Sequence, residues 1–94
     1  MLDLNGSTIL LTGGTGSFGH KFAEAVLRRY TPRKLIIFSR DELKQSEMHK
    51  QFGGKDVRYF IGDVRDLDRL HRAMNGVDAV VHAATAAAQP WKLR

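Results

Sequence analysis

Apolar positions fall in four short runs, and between them the spacing changes to that of amphipathic helices. The first run, Thr8-Ile9-Leu10-Leu11 within a strand expected over 7–11, is partly β-branched and apolar on both faces, as a buried parallel strand is. Asn5-Gly6 is the turn that admits it. A helix is expected over about 17–30, with Phe18, Phe22, Ala25 and Val26 as its apolar stripe and Thr31-Pro32 as its stop. Leu35-Ile36-Ile37-Phe38 reads as a second strand covered on both faces. Asp41 is placed to cap a second helix running through about 52 and ended by Gly53-Gly54. Its apolar positions, Leu43, Met48 and Phe52, are sparse, which predicts an exposed helix held by few contacts. A third strand over 57–61, a third helix over 66–74 ended by Asn75-Gly76, and a fourth strand over 79–82 complete the alternation. The β-α-β-α-β-α-β order predicts an α/β fold: a doubly wound parallel sheet with right-handed crossovers and strand order 3-2-1-4.

The turn between the first strand and the first helix is Thr12-Gly13-Gly14-Thr15-Gly16-Ser17-Phe18-Gly19. Gly14, Gly16 and Gly19 satisfy G-x-G-x-x-G, and Gly13, Gly16 and Gly19 satisfy G-x-x-G-x-x-G. Glycines let backbone approach an anion, and the helix that follows aims its unpaired N–H groups and positive dipole end at it. With a strand before, a helix after and a second strand about 20 residues on, the turn predicts a dinucleotide site. The alternative is a tight turn whose glycines serve packing only.

Three strand ends add chemistry. Ser39-Arg40-Asp41 follows the second strand, where a dinucleotide-binding fold meets the adenosine ribose 2′ position. A carboxylate there suits a free hydroxyl, whereas the Ser39 hydroxyl and the Arg40 guanidinium, with Lys44 a helical turn later, suit a 2′-phosphate and favour NADP over NAD. The competing reading makes Ser39 and Asp41 helix caps and Arg40 a solvated charge. Gly62-Asp63-Val64 follows the third strand: the Asp63 carboxylate suits an adenine amine and the Val64 N–H a ring nitrogen, or Asp63 is a turn residue. His82-Ala83-Ala84 closes the fourth, its small alanines either admitting the cofactor backbone or serving packing. His20, His49, His71 and His82 show no metal-ligand spacing.

Composition narrows the class. A chain of 94 residues makes one small domain with a thin core. The absence of cysteine excludes disulfides and thiolate metal sites and suits a reducing cytoplasm. The first six residues do not look like a signal peptide, and no apolar stretch approaches the roughly 18 residues of a membrane span, so a soluble cytoplasmic protein is expected. A net charge of +5 favours polyanions. Nucleic acid is disfavoured because Phe18, Phe22, Phe38, Phe52 and Phe60 mostly fall at expected core positions and not on a basic stacking face.

Residues 9–19, Phe38-Ser39-Arg40-Asp41-Glu42-Leu43-Lys44-Gln45, Gly62-Asp63-Val64-Arg65-Asp66 and Val80-Val81-His82-Ala83-Ala84 together resemble the beginning of an extended short-chain dehydrogenase/reductase. Within that group the pattern is most similar to bacterial UDP-N-acetylglucosamine 4,6-dehydratases of capsule, O-antigen and flagellar-glycan synthesis. The resemblance covers about residues 5–84 and implies a truncated Rossmann-type domain holding tightly bound NADP. In that family a hydride leaves the sugar C4 and returns at C6 after loss of water. It further implies that Thr15, Gly16, Ser17 and Phe18 contact the pyrophosphate, that Ser39, Arg40 and Lys44 hold the 2′-phosphate, and that Asp63 and Val64 hold the adenine. The family's pattern is left after the alanines: residues 85–94 form a tail of their own, carrying Trp91. The family's acid/base groups lie beyond the fourth strand and are absent, so the expectation for 1–84 is a cofactor-binding domain that is not catalytic alone. An open fourth-strand edge and the tail predict a homo-oligomer. The alternative is an oligomerising interaction module whose nucleotide site is a relic.

Overall fold

The computed structural model describes residues 4–82. Four strands, β1 (Thr8–Thr12), β2 (Lys34–Ser39), β3 (Val57–Ile61) and β4 (Ala79–His82), form one sheet in the order β3-β2-β1-β4, and every pairing is parallel. Helices α1 (Ser17–Arg29), α2 (Glu42–Phe52) and α3 (Leu67–Ala73) supply the crossovers. This is the expected alternation and strand order.

The register sorts the side chains into two faces, since successive residues of a strand point to opposite sides. Leu10 lies opposite Ile36 and Val80, and Ile9 opposite Leu35 and Ala79. On one face Ile9, Leu11, Leu35, Ile37 and Val57 pack with Ala23 and Val26 of α1 and Met48 of α2. On the other, Leu10, Ile36 and Phe38 pack with Ala73, Leu70 and Val64 from α3 and the loop before it. β1 and β2 are therefore apolar throughout because both faces are covered, as in parallel sheets generally. The edge strands are more exposed: β4 alternates between half-buried and exposed positions, and in β3 only Val57 is buried.

Two helices sit differently from their expected faces. α1 buries Gly19, Ala23 and Val26, while Phe18 is exposed and Phe22 and Ala25 are only half-buried. The cause is Gly19, where a Cβ would stand 2.5 Å from the Gly14 carbonyl oxygen. That contact brings the glycine stripe of the helix down onto the loop and turns Phe18 outward. α2 buries Gln45 and Met48 and leaves Leu43 in solvent. It is, as expected, a helix with little apolar contact. Its ends are well made: Asp41 accepts from the Lys44 N–H at 3.0 Å, and Gly53 adopts φ +75° beyond its last turn. The Tyr59 hydroxyl of β3 donates to the Met48 and Gly53 carbonyls, tying that last turn to the sheet.

The sheet edges are unlike each other. At the end of β3 the Arg69 guanidinium donates to the Ile61 carbonyl from Nε at 3.1 Å and Nη2 at 2.5 Å and lies 4.5 Å over the Phe60 ring. At β4, Val80 on the α3 side is 49% exposed. No helix among the described residues is long and apolar enough to cross a membrane.

Candidate functional site

The carboxyl ends of β1, β2 and β3 open into a cleft of about 880 Å³, walled by the glycine loop, the β2–α2 turn and the β3–α3 turn. In open parallel sheets this is where ligands bind, because the loops there diverge and the helix N-termini point inward.

The glycine loop is held from beneath. Gly13, at φ +67°, takes the left-handed conformation, and its N–H donates to the Phe38 carbonyl at 2.8 Å. Gly14 leaves no room for a side chain, since a Cβ there would meet Ile37 Cγ2 at 2.9 Å. Gly19 is occupied by the Gly14 contact already described. Gly16 differs from these three. It is the N-cap of α1, extended at φ −76° and ψ 179°, exposed, and a Cβ on it would meet only the Gly13 carbonyl oxygen at an ordinary 3.6 Å. Neither conformation nor internal packing requires glycine at this position, which borders the cleft. No side chain caps α1 and no acid stands in its first turn, whereas α2 and α3 are capped by Asp41 and Asp66. The amino end of α1 thus keeps its donors for an anion.

Ser39, the last residue of β2, is 6% exposed yet lines the cleft. Its Oγ accepts from Gln45 Nε2 at 2.9 Å, and the same nitrogen donates to the Phe60 carbonyl at 3.1 Å and reaches the Ser39 carbonyl at 3.4 Å. Arg40 and Lys44 stand exposed at the cleft wall. Asp41, the nearest carboxylate to the end of β2, is engaged as the α2 cap.

Asp63 carries a dense set of contacts. Arg65 donates to it from its backbone N–H at 2.9 Å, from Nε at 3.2 Å to each oxygen and from Nη2 at 2.8 Å, while Arg40 stands 3.6 Å away across the cleft. The Arg65 side-chain bonds first, then its N–H, hold the Asp63 carboxyl down to about 2 from an ordinary 3.8. Asp63 builds the turn and also faces the cleft. Gly62 before it must be glycine, for a Cβ would meet the Phe38 ring at 2.7 Å.

Of the residues singled out in the sequence, Gly13, Thr15, Gly16, Ser39, Arg40, Lys44, Asp63 and Val64 line one cleft. Ser17, Phe18 and Gly19 do not line it. Ala83 and Ala84, like the tail 85–94, lie outside the described residues. Beside the cleft, at the point where the chain's winding reverses between β1 and β4, Thr12 Oγ1 and His82 Nδ1 are 2.5 Å apart. Tyr30 and Lys34 have the four-residue spacing of a Tyr/Lys acid/base pair, but Lys34 begins β2, at the amino ends of the strands and away from the cleft. Sequence reasoning missed Gln45 and Arg65. The available signal for Gln45 was a polar residue on the inward stripe of α2, three positions before Met48.

A four-stranded 3-2-1-4 parallel sheet with helices on both faces and a cleft at its carboxyl edge defines a Rossmann-like domain. The chain belongs to the polysaccharide biosynthesis protein family, whose model matches residues 9–91. It is 59% identical over 80 residues to a UDP-N-acetylglucosamine 4,6-dehydratase (inverting) of Campylobacter jejuni subsp. jejuni serotype O:23/36, covering 85% of this chain and 24% of that protein. It is 45% identical over 84 residues to a UDP-glucose 4-epimerase of Rickettsia bellii, covering 82% of this chain and 24% of the relative. Among solved structures, Pen from Bacillus thuringiensis superposes with a TM-score of 0.78 at 33% identity, covering 84% of this chain and 25% of that one. The chain therefore spans about a quarter of the length of the relatives it matches, and within that span its sequence is similar to a nucleotide-sugar dehydratase and a nucleotide-sugar epimerase.

Proposed function

We propose that this chain is the NADP-binding part of a UDP-N-acetylglucosamine 4,6-dehydratase-like protein. The observation that carries the reading is Gly16, an exposed glycine at an uncapped helix start that neither conformation nor internal packing demands. The pyrophosphate would lie against Gly13, Thr15, Gly16 and the first N–H groups of α1, the segment that includes Ser17 and Phe18. The 2′-phosphate would be held by the Ser39 hydroxyl and by Arg40 and Lys44; a free carboxylate at the end of β2 would repel that phosphate, and Asp41 is turned to its cap instead. The adenine would be held at Asp63 and Val64. Bound there, the nicotinamide supplies hydride acceptance and return for the sugar. The chain's own contribution is to bind and orient, and we assign it no turnover alone.

Thermal unfolding with NADP, with NAD and without ligand tests the reading. At 100 times its dissociation constant a ligand stabilises by roughly 2.7 kcal/mol, and each kcal/mol raises the midpoint of so small a domain by about 4 to 8 °C. NADP is expected to shift the midpoint strongly and NAD less; no shift with either leaves the loop a structural remnant. A second reading, an oligomerising module, is favoured by the exposed Val80 at the β4 edge. The two readings are compatible, and self-association through β4 is proposed beside NADP binding.

A further inference from the structure

We infer that Gln45 sets the direction of the Ser39 hydroxyl and through it the selectivity for a phosphate at the ribose 2′ position, an inference that rests on the NADP reading. Gln45 is 4% exposed and one turn into α2. Its Nε2 faces three oxygens, and two of them, the Phe60 and Ser39 carbonyls, can only accept. That requirement fixes the amide orientation: the NH2 end, not the oxygen, is turned to this group. The amide nitrogen has two hydrogens and does not accept, so they go to the two shorter contacts, the Ser39 Oγ at 2.9 Å and the Phe60 carbonyl at 3.1 Å, and the hydroxyl oxygen is an acceptor there. A hydroxyl that accepts from the amide cannot send its own proton back along that line. Its single O–H is left to donate elsewhere, and Ser39 borders the cleft beside Arg40 and Lys44.

The arrangement does what a lone serine does not. A free hydroxyl rotates and serves acceptor and donor alike, so it would receive a ribose hydroxyl as readily as it gives to a phosphate. Pinned from behind, it presents a donor to an anion that only accepts, and hydrogen bonds to charged groups are the stronger kind. The amide also joins the end of β2 to β3 through Phe60, so the hydroxyl is held on two strands. Gln45 is a positioning residue; it does not itself line the cleft.

The test is calorimetric titration of the 94-residue chain, and of Gln45→Met, Ser39→Ala and the double variant, with NADP and with NAD. The expected result is that each single variant weakens NADP about tenfold and NAD less than about twofold, and that the double variant loses no more than Ser39→Ala alone. A purely structural Gln45 would lower the unfolding midpoint while leaving the NADP-to-NAD ratio unchanged, which overturns the inference. So does additivity in the double variant. Should Gln45→Met not fold, the side-chain amide resonance of Gln45 in the unaltered chain gives the answer: it is expected to move on adding NADP and much less on adding NAD, and equal movement overturns the inference. If the unaltered chain shows no preference for NADP, the NADP reading falls and takes this one with it.

Discussion

Gly16 and Gly19 stand three residues apart in the same motif and answer to different constraints. An alanine at 19 would drive its Cβ into three backbone atoms of Gly14 between 2.5 and 2.6 Å away, none of which can swing aside. Helix propensity would favour alanine there by about 1 kcal/mol, but the clash outweighs it. Gly19→Ala is expected to lose about 1–3 kcal/mol in denaturant unfolding. Gly16→Ala meets nothing closer than 3.6 Å and is expected to cost under about 1 kcal/mol, the loss of a better N-cap, while abolishing the NADP-induced shift. The reverse pattern would show that the motif serves packing alone. Asp63 offers a pH-dependent check. Its folded-state carboxyl sits at about 2 against 3.8 ordinarily, so its contribution is complete above about pH 4 and disappears as pH falls through about 2. Asp63→Asn is expected to lower the unfolding midpoint modestly at neutral pH and to converge with the unaltered chain as pH falls towards 2, so that its acid limb is flatter, with the difference shrinking in added salt because the pair faces water. An unaltered acid limb in the variant would show that the Arg65 contacts contribute no net stability.

At the scale of elements, α2 depends on its ends more than on its face. It buries only Gln45 and Met48, so the Tyr59 hydroxyl bonds to Met48 and Gly53 carry much of its attachment. Tyr59→Phe is expected to cost about 0.5–1.5 kcal/mol and to speed amide exchange in the last turn of α2 more than in β1 or β2. Uniform acceleration would mean that α2 and the sheet open together. Strands, helix order and caps were legible because each rests on a local cause: continuous apolar runs for doubly covered strands, Asp41 for a helix start, Gly53 for its end. The facing of α1 was not legible, since Phe18, Phe22, Ala25 and Val26 form a plausible stripe by hydropathy alone. What decided the rotation was the fit of Gly19 onto Gly14, a contact that an apolar count passes over. The candidate site divides in the same way. Gly13, Ser39, Arg40 and Asp63 were legible at strand ends, but the inward-turned Gln45 was not, because its three acceptors come from β2 and β3 and meet only in the folded sheet.

The whole molecule is layered unequally: α1 and α2 cover one face of the sheet, and the seven residues of α3 with its flanking loops cover the other. Val80 is left over on the thinner side. Self-association through β4 is expected to give a mass above that of the monomer in sedimentation at tens of micromolar, and a monomer throughout that range would remove the proposal. The two borders of the sheet also decide what kind of assembly is allowed. Arg69, folded over the last carbonyl of β3 and stacked on Phe60, makes that border a poor template for another strand, while β4 lacks such a guard among its described contacts. On the self-association proposed above, two copies would meet about a two-fold axis, β4 against β4, and the union would occupy that border in each. Head-to-tail growth would need β4 of one copy to reach β3 of the next, where the arginine stands in the way. On that proposal the guanidinium that trims one strand end would act as a terminator, favouring a pair over a fibre.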